Sequence, residues 1–153
     1  MKFEISPVAT VHNKRNEITD DFWGDMITEI RLADNLPDAA LDGIELFSHA
    51  EIIYVFDKAD PSKIVTGTSH PRGNPEWPLC GIFAQRKKDR PNHIGACICN
   101  IVKREGRSLF VANLDAIDGT PVIDIKPVLK EFLPIGEQRQ PAWASELMKD
   151  YWK

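Results

Sequence analysis

The chain has 153 residues, 42% of them hydrophobic and 27% charged, with a formal net charge of −4 at pH 7. That length holds one domain with a proper core rather than two, and the proportions are those of an ordinary globular protein. No run reaches the 18 apolar residues of a membrane span, and Met1 to Pro7 carries neither an apolar stretch nor a small-residue cleavage site, so no membrane partner is expected and the cytoplasm is the expected location.

In chain order, Phe3 to His12 alternates and is partly β-branched at Ile5, Val8, Thr10 and Val11, which predicts a strand interrupted by Pro7. Asn13 to Asn16 reads as a polar loop, and Ile27 to Leu32 alternates again as a half-buried strand. Pro37 to Leu41 fits one helical turn with Gly43 after it. The apolar run Ile52-Ile53-Tyr54-Val55-Phe56 predicts a central strand over 51–56. Further strands are expected at 63–68, 79–84, 94–102, 108–114 and 121–125. Short spacing between turn signals points to a mainly β chain folded as a sandwich or barrel. After Pro141, the residues Trp143, Leu147 and Tyr151 recur every four positions and predict a terminal helix that docks through one face.

Three cysteines with no secretion signal read as free thiols. Cys97 and Cys99 share one face of a strand, and with only His93 near them they are expected as small buried hydrophobes rather than metal ligands. Charge is unevenly spread. Residues 17–60 hold twelve acids against two bases, whereas residues 86–107 hold seven bases against two acids. A local basic segment of this kind can meet a polyanion, although a solvated charged face accounts for it equally well.

Three segments concentrate turn-forming and chemically active residues. In Gly81 to Gly95 a basic loop carrying Arg86, Lys87, Lys88 and Arg90 turns at Arg90-Pro91-Asn92. Arginine there can fork onto phosphate or stack on a base, and a surface hairpin with scattered cations is the plainer alternative. In Asn113 to Pro127 the Asp118-Gly119 turn leaves backbone amides free to cradle a polar ligand. Asp115 and Asp118 could accept ribose hydroxyls or an ammonium group, and an Asp-Gly hairpin explains the segment as well. In Gly43 to Phe56, Ser48 and His49 precede the buried strand, and a structural hydrogen-bonding role is the commoner one for a lone histidine. No Gly-rich phosphate loop, dinucleotide fingerprint or nucleophile elbow is present.

The runs Gly-x-Glu-x-Phe-Ser-His followed by Ile-x-x-Val-Phe, then Gly-x-Phe-Ala-x-Arg…Arg-Pro-Asn-x-Ile-Gly, then Asp-Gly-Thr-Pro-Val-x-Asp-Ile-Lys-Pro resemble, in that order, the signature of the TsaA-like (TrmO) family over residues 5–134. The resemblance implies a single β-barrel domain over 3–135 with a short helical tail at 136–153. It also implies S-adenosyl-L-methionine (SAM) as cofactor and a homodimer with SAM near the subunit interface. Methylation of threonylcarbamoyl-adenosine in the tRNA anticodon loop is the implied activity. Carried over by position, the cofactor contacts are Asp57, Lys58, Arg86, Ile98, Asp115, Ala116, Ile117 and Asp118. Arg15, Lys87, Lys88, Arg90 and Asn92 are the expected tRNA contacts, and His49 and Asp118 the candidates to take a proton. Asn13 to Asn16 stands where many members have Pro-Arg-Gln, and Asp57-Lys58 replaces the more usual His-Gln. Methylation of another acceptor, or SAM binding without catalysis, remain the other two readings.

Overall fold

The computed structural model describes residues 1–153. Six antiparallel strands close into a barrel in the order β1 (Ala9–His12), β2 (Ile27–Leu32), β7 (Ser108–Ala112), β6 (Ile94–Glu105), β3 (His49–Val55) and β8 (Pro121–Pro127), which returns to β1. A two-residue ladder of β4 (Thr68–Ser69) and β5 (Cys80–Gly81) stands apart, and one helix, α1 (Ala142–Met148), follows the barrel. This is the mainly β barrel with a short terminal helix that the sequence predicts.

Alternation builds the interior. Along β3 every second residue (Ala50, Ile52, Tyr54) is at most 1% exposed, and Val11, Ile30, Leu109, Val111 and Val122 meet them from the other strands. Burial of each larger aliphatic side chain stabilises the fold by roughly 1.5–3 kcal/mol. β3 lies between β6 and β8, paired Ile52 to Cys97 and Ile52 to Ile125. Cys97 and Cys99 both point inward as free, buried thiols. Contact with Cys97, together with burial, holds the Cys99 thiol above its usual range, so it stays protonated.

Three expected strands come out shorter, each for a physical reason. Only Ala9–His12 of the expected 3–12 strand pairs, because both neighbouring ladders end opposite Ala9, at Leu32 and Val122. Phe3 and Ile5 alternate with nothing to pair against and are 79% and 59% exposed. The 63–68 stretch is preceded by a 3-10 turn at Pro61–Lys63, capped by Asp60 Oδ1 accepting from Ser62 N at 2.9 Å, and only Thr68–Ser69 pairs. Within 79–84 only Cys80–Gly81 pairs before Ile82–Ala84 closes into a 3-10 turn. The expected helix ends at Met148, so Tyr151 leaves the stripe on which its spacing placed it.

Candidate functional site

The connections that follow β1, β3 and β7 gather at one end of the barrel. There Ile18 and Trp23, Phe56 to Ala59, and Asp115 to Ile117 line a cleft floored by the Tyr54 ring, with Lys88 and Thr120 at its margin. The wall is largely apolar, and its charged groups are two carboxylates, Asp57 and Asp115, and two ammonium groups, Lys58 and Lys88. A pocket of this composition suits an organic ligand that carries a flat apolar part and a few charged ends.

Asp115 is the most constrained of these groups. Its Oδ1 accepts from the Tyr54 hydroxyl at 2.7 Å and its Oδ2 from the Tyr151 hydroxyl at 2.6 Å. Tyr54 comes from the barrel interior and Tyr151 from the chain beyond α1, so one carboxylate joins the core to the tail. Burial first, and then the charge of Asp115, push both phenols well above the usual tyrosine range. Both therefore remain donors at any physiological pH. The Arg86 charge pulls the other way on Tyr151.

A raised folded-state pKa contributes stability that is intact below the unfolded pKa, near 10, and is lost as pH climbs beyond it. Stability is thus expected to hold to about pH 10 and then fall by about 1.4 kcal/mol per pH unit for each phenol that the unfolded chain deprotonates. Denaturant titrations at pH 8, 10 and 11 check this. A Tyr151→Phe chain with the same alkaline slope as the wild type would contradict it.

The loop from residue 13 to 26 is stitched by polar contacts. Arg15 lies 3.4 Å over the Trp23 ring, and its guanidinium donates to the carbonyls of Phe22 and Asp21 and to the Thr19 hydroxyl. The loop is wrapped around that cation, so the donors expected to meet tRNA are spent on the chain itself. Asn13 Nδ2 donates to Ala116 O at 2.9 Å, and Asp118 Oδ1 accepts from Asn13 N at 3.0 Å, joining this loop to the 113–120 loop. Lys58 Nζ donates to Asp118 O at 3.4 Å across the rim.

Of the eight expected cofactor contacts, Asp57, Lys58, Asp115, Ala116 and Ile117 converge in the cleft, and Asp118 stands on its rim. Arg86 donates to Ala96 O, beside the cleft rather than in it. Ile98 faces outward from the middle of β6, 49% exposed, and lies outside the cleft. Among the expected tRNA contacts, Lys88 reaches the margin of the cleft and lies 3.7 Å from Asp89. Arg90 is turned inward, donating to Gln85 O at 2.7 Å, while Asn92 sits exposed in a 3-10 turn with φ 66°. Lys87 is half-buried.

His49 opens β3, about 20 Å along the strand from Val55 at 3.3 Å per residue. Its Nε2 accepts from Asn100 Nδ2 at 2.9 Å, and Asn100 Oδ1 accepts from Asn113 Nδ2 at 2.7 Å. With Nε2 accepting, Nδ1 carries the proton and donates to Ser48 Oγ at 2.7 Å. Both nitrogens are engaged, and neither faces the cleft.

Sequence reasoning passed over Ile18, Trp23, Tyr54 and Tyr151 as site residues. Tyr54 looked like one more core residue in an apolar run, and the loop holding Ile18 and Trp23 has no periodicity to read. Gly95 was part of a motif, yet its reason is visible only here: a Cβ on it would fall 2.5 Å from Tyr54 Cε2 and 3.0 Å from Phe56 Cζ.

Among known proteins, the family model of the tRNA-methyltransferase O N-terminal domain matches residues 10–132. The mouse tRNA (adenine(37)-N6)-methyltransferase is 38% identical over 98 residues, which is 64% of this chain and 22% of the mouse protein. An S-adenosyl-L-methionine-binding protein of Archaeoglobus fulgidus is 39% identical over 104 residues, 68% of this chain and 70% of its own. A crystal structure of TrmO from P. aeruginosa matches the fold with a TM-score of 0.75 at 24% identity, covering 94% of this chain and 62% of that one. The chain spans about a fifth of the length of the mammalian relatives.

Proposed function

The chain belongs to the family of the tRNA-methyltransferase O N-terminal domain, and on that footing we propose that it is a SAM-dependent methyltransferase acting on threonylcarbamoyl-adenosine of the tRNA anticodon loop. The observation that carries this reading is the convergence of Asp57, Lys58, Asp115, Ala116 and Ile117 in one cleft. The donor set fits the cofactor. Apolar walls at Ile18, Trp23, Phe56 and Ile117 suit its adenine and thioether portions. Asp57 and Asp115 suit ribose hydroxyls or the ammonium, and Lys58 suits the carboxylate.

SAM supplies a methyl group on a sulfonium, open to in-line displacement by a substrate nitrogen. The chain's share is to bind, align and exclude water, and holding two reactants in line can contribute roughly 7–11 kcal/mol of a barrier. With SAM held by Asp57, Lys58 and Asp115, the methyl group would be open to the substrate nitrogen, and the chain's remaining task would be to receive the proton that this nitrogen gives up. Asp118 is the better placed of the two expected acceptors, since it follows the cleft residues Asp115 to Ile117 and keeps Oδ2 free of the Asn13 bond, whereas His49 lies at the opposite end of β3 with both nitrogens engaged. Lys87, Lys88 and the neighbouring Asn92 turn would meet the RNA backbone.

A homodimer working in the cytoplasm belongs to the same proposal. The outward residues of β6, Ile94, Ile98 and Val102, are 37%, 49% and 49% exposed and form a strip suited to a second subunit. Arg15 and Arg90 spend donors internally, which lends support to the second reading, a smaller or different methyl acceptor.

The experiment is transfer of labelled methyl from SAM to total tRNA carrying threonylcarbamoyl-adenosine, with tRNA lacking that modification as control. Label in the modified pool alone is the expected result. SAM binding without label in either pool would overturn the tRNA assignment and leave the cofactor reading standing.

A further inference from the structure

We infer that Tyr151, which lies outside the family-matched segment 10–132, is a positioning residue that, beside the Asn13 bridge between their loops, sets the two walls of the cleft against each other at Trp23 and Asp115. The inference rests on the cofactor reading above.

Those walls come from different loops, one carrying Trp23 and the other Asp115. Tyr151 holds both. Its carbonyl accepts from Trp23 N at 2.7 Å, and its hydroxyl donates to Asp115 Oδ2 at 2.6 Å. The residue before it repeats the first contact, Asp150 O accepting from Phe22 N at 3.2 Å. The strap lies flat on Gly24, where an added Cβ would stand 2.0 Å from Trp152 O. In the last turn of α1, Glu146 Oε2 accepts from Trp77 Nε1 at 3.1 Å, so the helix is moored before the strap begins.

Tyr54 already satisfies Oδ1 of Asp115 from inside the barrel and fixes where that carboxylate sits. A second donor on Oδ2 adds nothing to the barrel core. It sets the plane of the carboxylate and the distance from Asp115 to Trp23, and both are properties of the cleft. A charged acceptor held by two neutral donors keeps one lone pair on each oxygen for a ligand. The aim of those lone pairs is what Tyr151 controls.

The test uses the full chain, with two substitutions that act from opposite sides. Tyr151→Phe removes the hydroxyl and keeps the ring. Gly24→Ala keeps every cleft side chain and lifts the strap. Loss of one hydrogen bond to a charged group corresponds to about a tenfold change in binding. The expected result is therefore a SAM dissociation constant about tenfold higher for each variant by calorimetry. KM for SAM should rise with kcat and KM for tRNA little changed, a split that a general loss of folding would not give. If wild type and both variants bind SAM within twofold of one another, the inference is overturned and the cofactor reading stands. If the wild type binds no SAM, the cofactor reading falls and takes the inference with it.

Discussion

Replacing Asp115 with asparagine should weaken SAM binding by at least about tenfold and lower unfolding stability by roughly 1.5–3 kcal/mol, the usual worth of a hydrogen bond to a charged group. The carboxylate offers an oxygen to each of two phenols, 2.7 and 2.6 Å away. An asparagine offers one oxygen and one NH2, so one phenol loses its charge-assisted donor bond and can only accept from the amide instead. Tyr54 retains a second, longer contact to Asp115 O at 3.3 Å, whereas the Tyr151 hydroxyl has its bond to Oδ2, so Tyr151 is the partner expected to lose the stronger bond. The substitution thus damages the ligand-facing charge and the mooring of the tail together. Calorimetry and urea unfolding on the same preparation read both effects. Unchanged affinity with reduced stability would move Asp115 from the ligand's list of contacts to the fold's.

Gly95→Ala should be the most damaging change of a single methyl group in the barrel. The new Cβ would stand 2.5 and 2.6 Å from two atoms of the Tyr54 ring. That ring is 1% exposed, packs edge-on to Phe56 at 5.3 Å, and is held at its far end by Asp115. It has no direction in which to yield. Overpacking typically costs 1–3 kcal/mol, and a ring fixed at both ends puts this site at about the upper figure. Gly81→Ala is the control, because nothing lies within 4 Å of the Cβ it would add; its effect should stay within about 0.5 kcal/mol. Equal melting temperatures for the two variants would refute the argument.

Much of the barrel was legible before any coordinates. Strands β2, β3, β6 and β7 carry alternation or apolar runs that a half-buried ladder requires, and they form near their expected bounds. Phe3 to Ile5 has the same pattern and no strand, because alternation records a tendency to pair and says nothing about whether a partner is still there to pair with. The 57–93 connection defeats the reading differently. Proline and short polar residues turn it into a series of 3-10 turns with one two-residue ladder.

The site divides along similar lines. Asp57, Lys58 and Asp115 to Ile117 were reached through motifs, and they meet. Trp23 and Tyr151 carry no motif, and their role depends on where a loop and a tail come to rest. The fourfold spacing of Trp143, Leu147 and Tyr151 even suggested the wrong setting for Tyr151, since the helix stops three residues short of it. For Arg15 and Arg90 the residue type pointed outward to phosphate, whereas the carbonyls that claim them could be known only from the fold.

The barrel's ring of strands has an uneven join. β1 meets β8 over two register pairs, Ala9 to Val122 and Thr10 to Pro121, and the proline has no amide to give. Strands separated by more than a hundred residues must find each other there, which charges the closure with the largest loop entropy of any strand pairing in the barrel. Folding is expected to run outward from the β6–β7 hairpin and to seal last across this seam, so pulse-labelled hydrogen exchange during refolding should protect the amides of Val8 and Val11, which donate to Val122 and Thr120, after those of β6 and β7. The loop bearing Asp115 to Ile117 leads into β8, so on that order the cleft is completed in the last steps, when β8 joins the ring and the strap at 150–151 settles on Trp23 and Asp115.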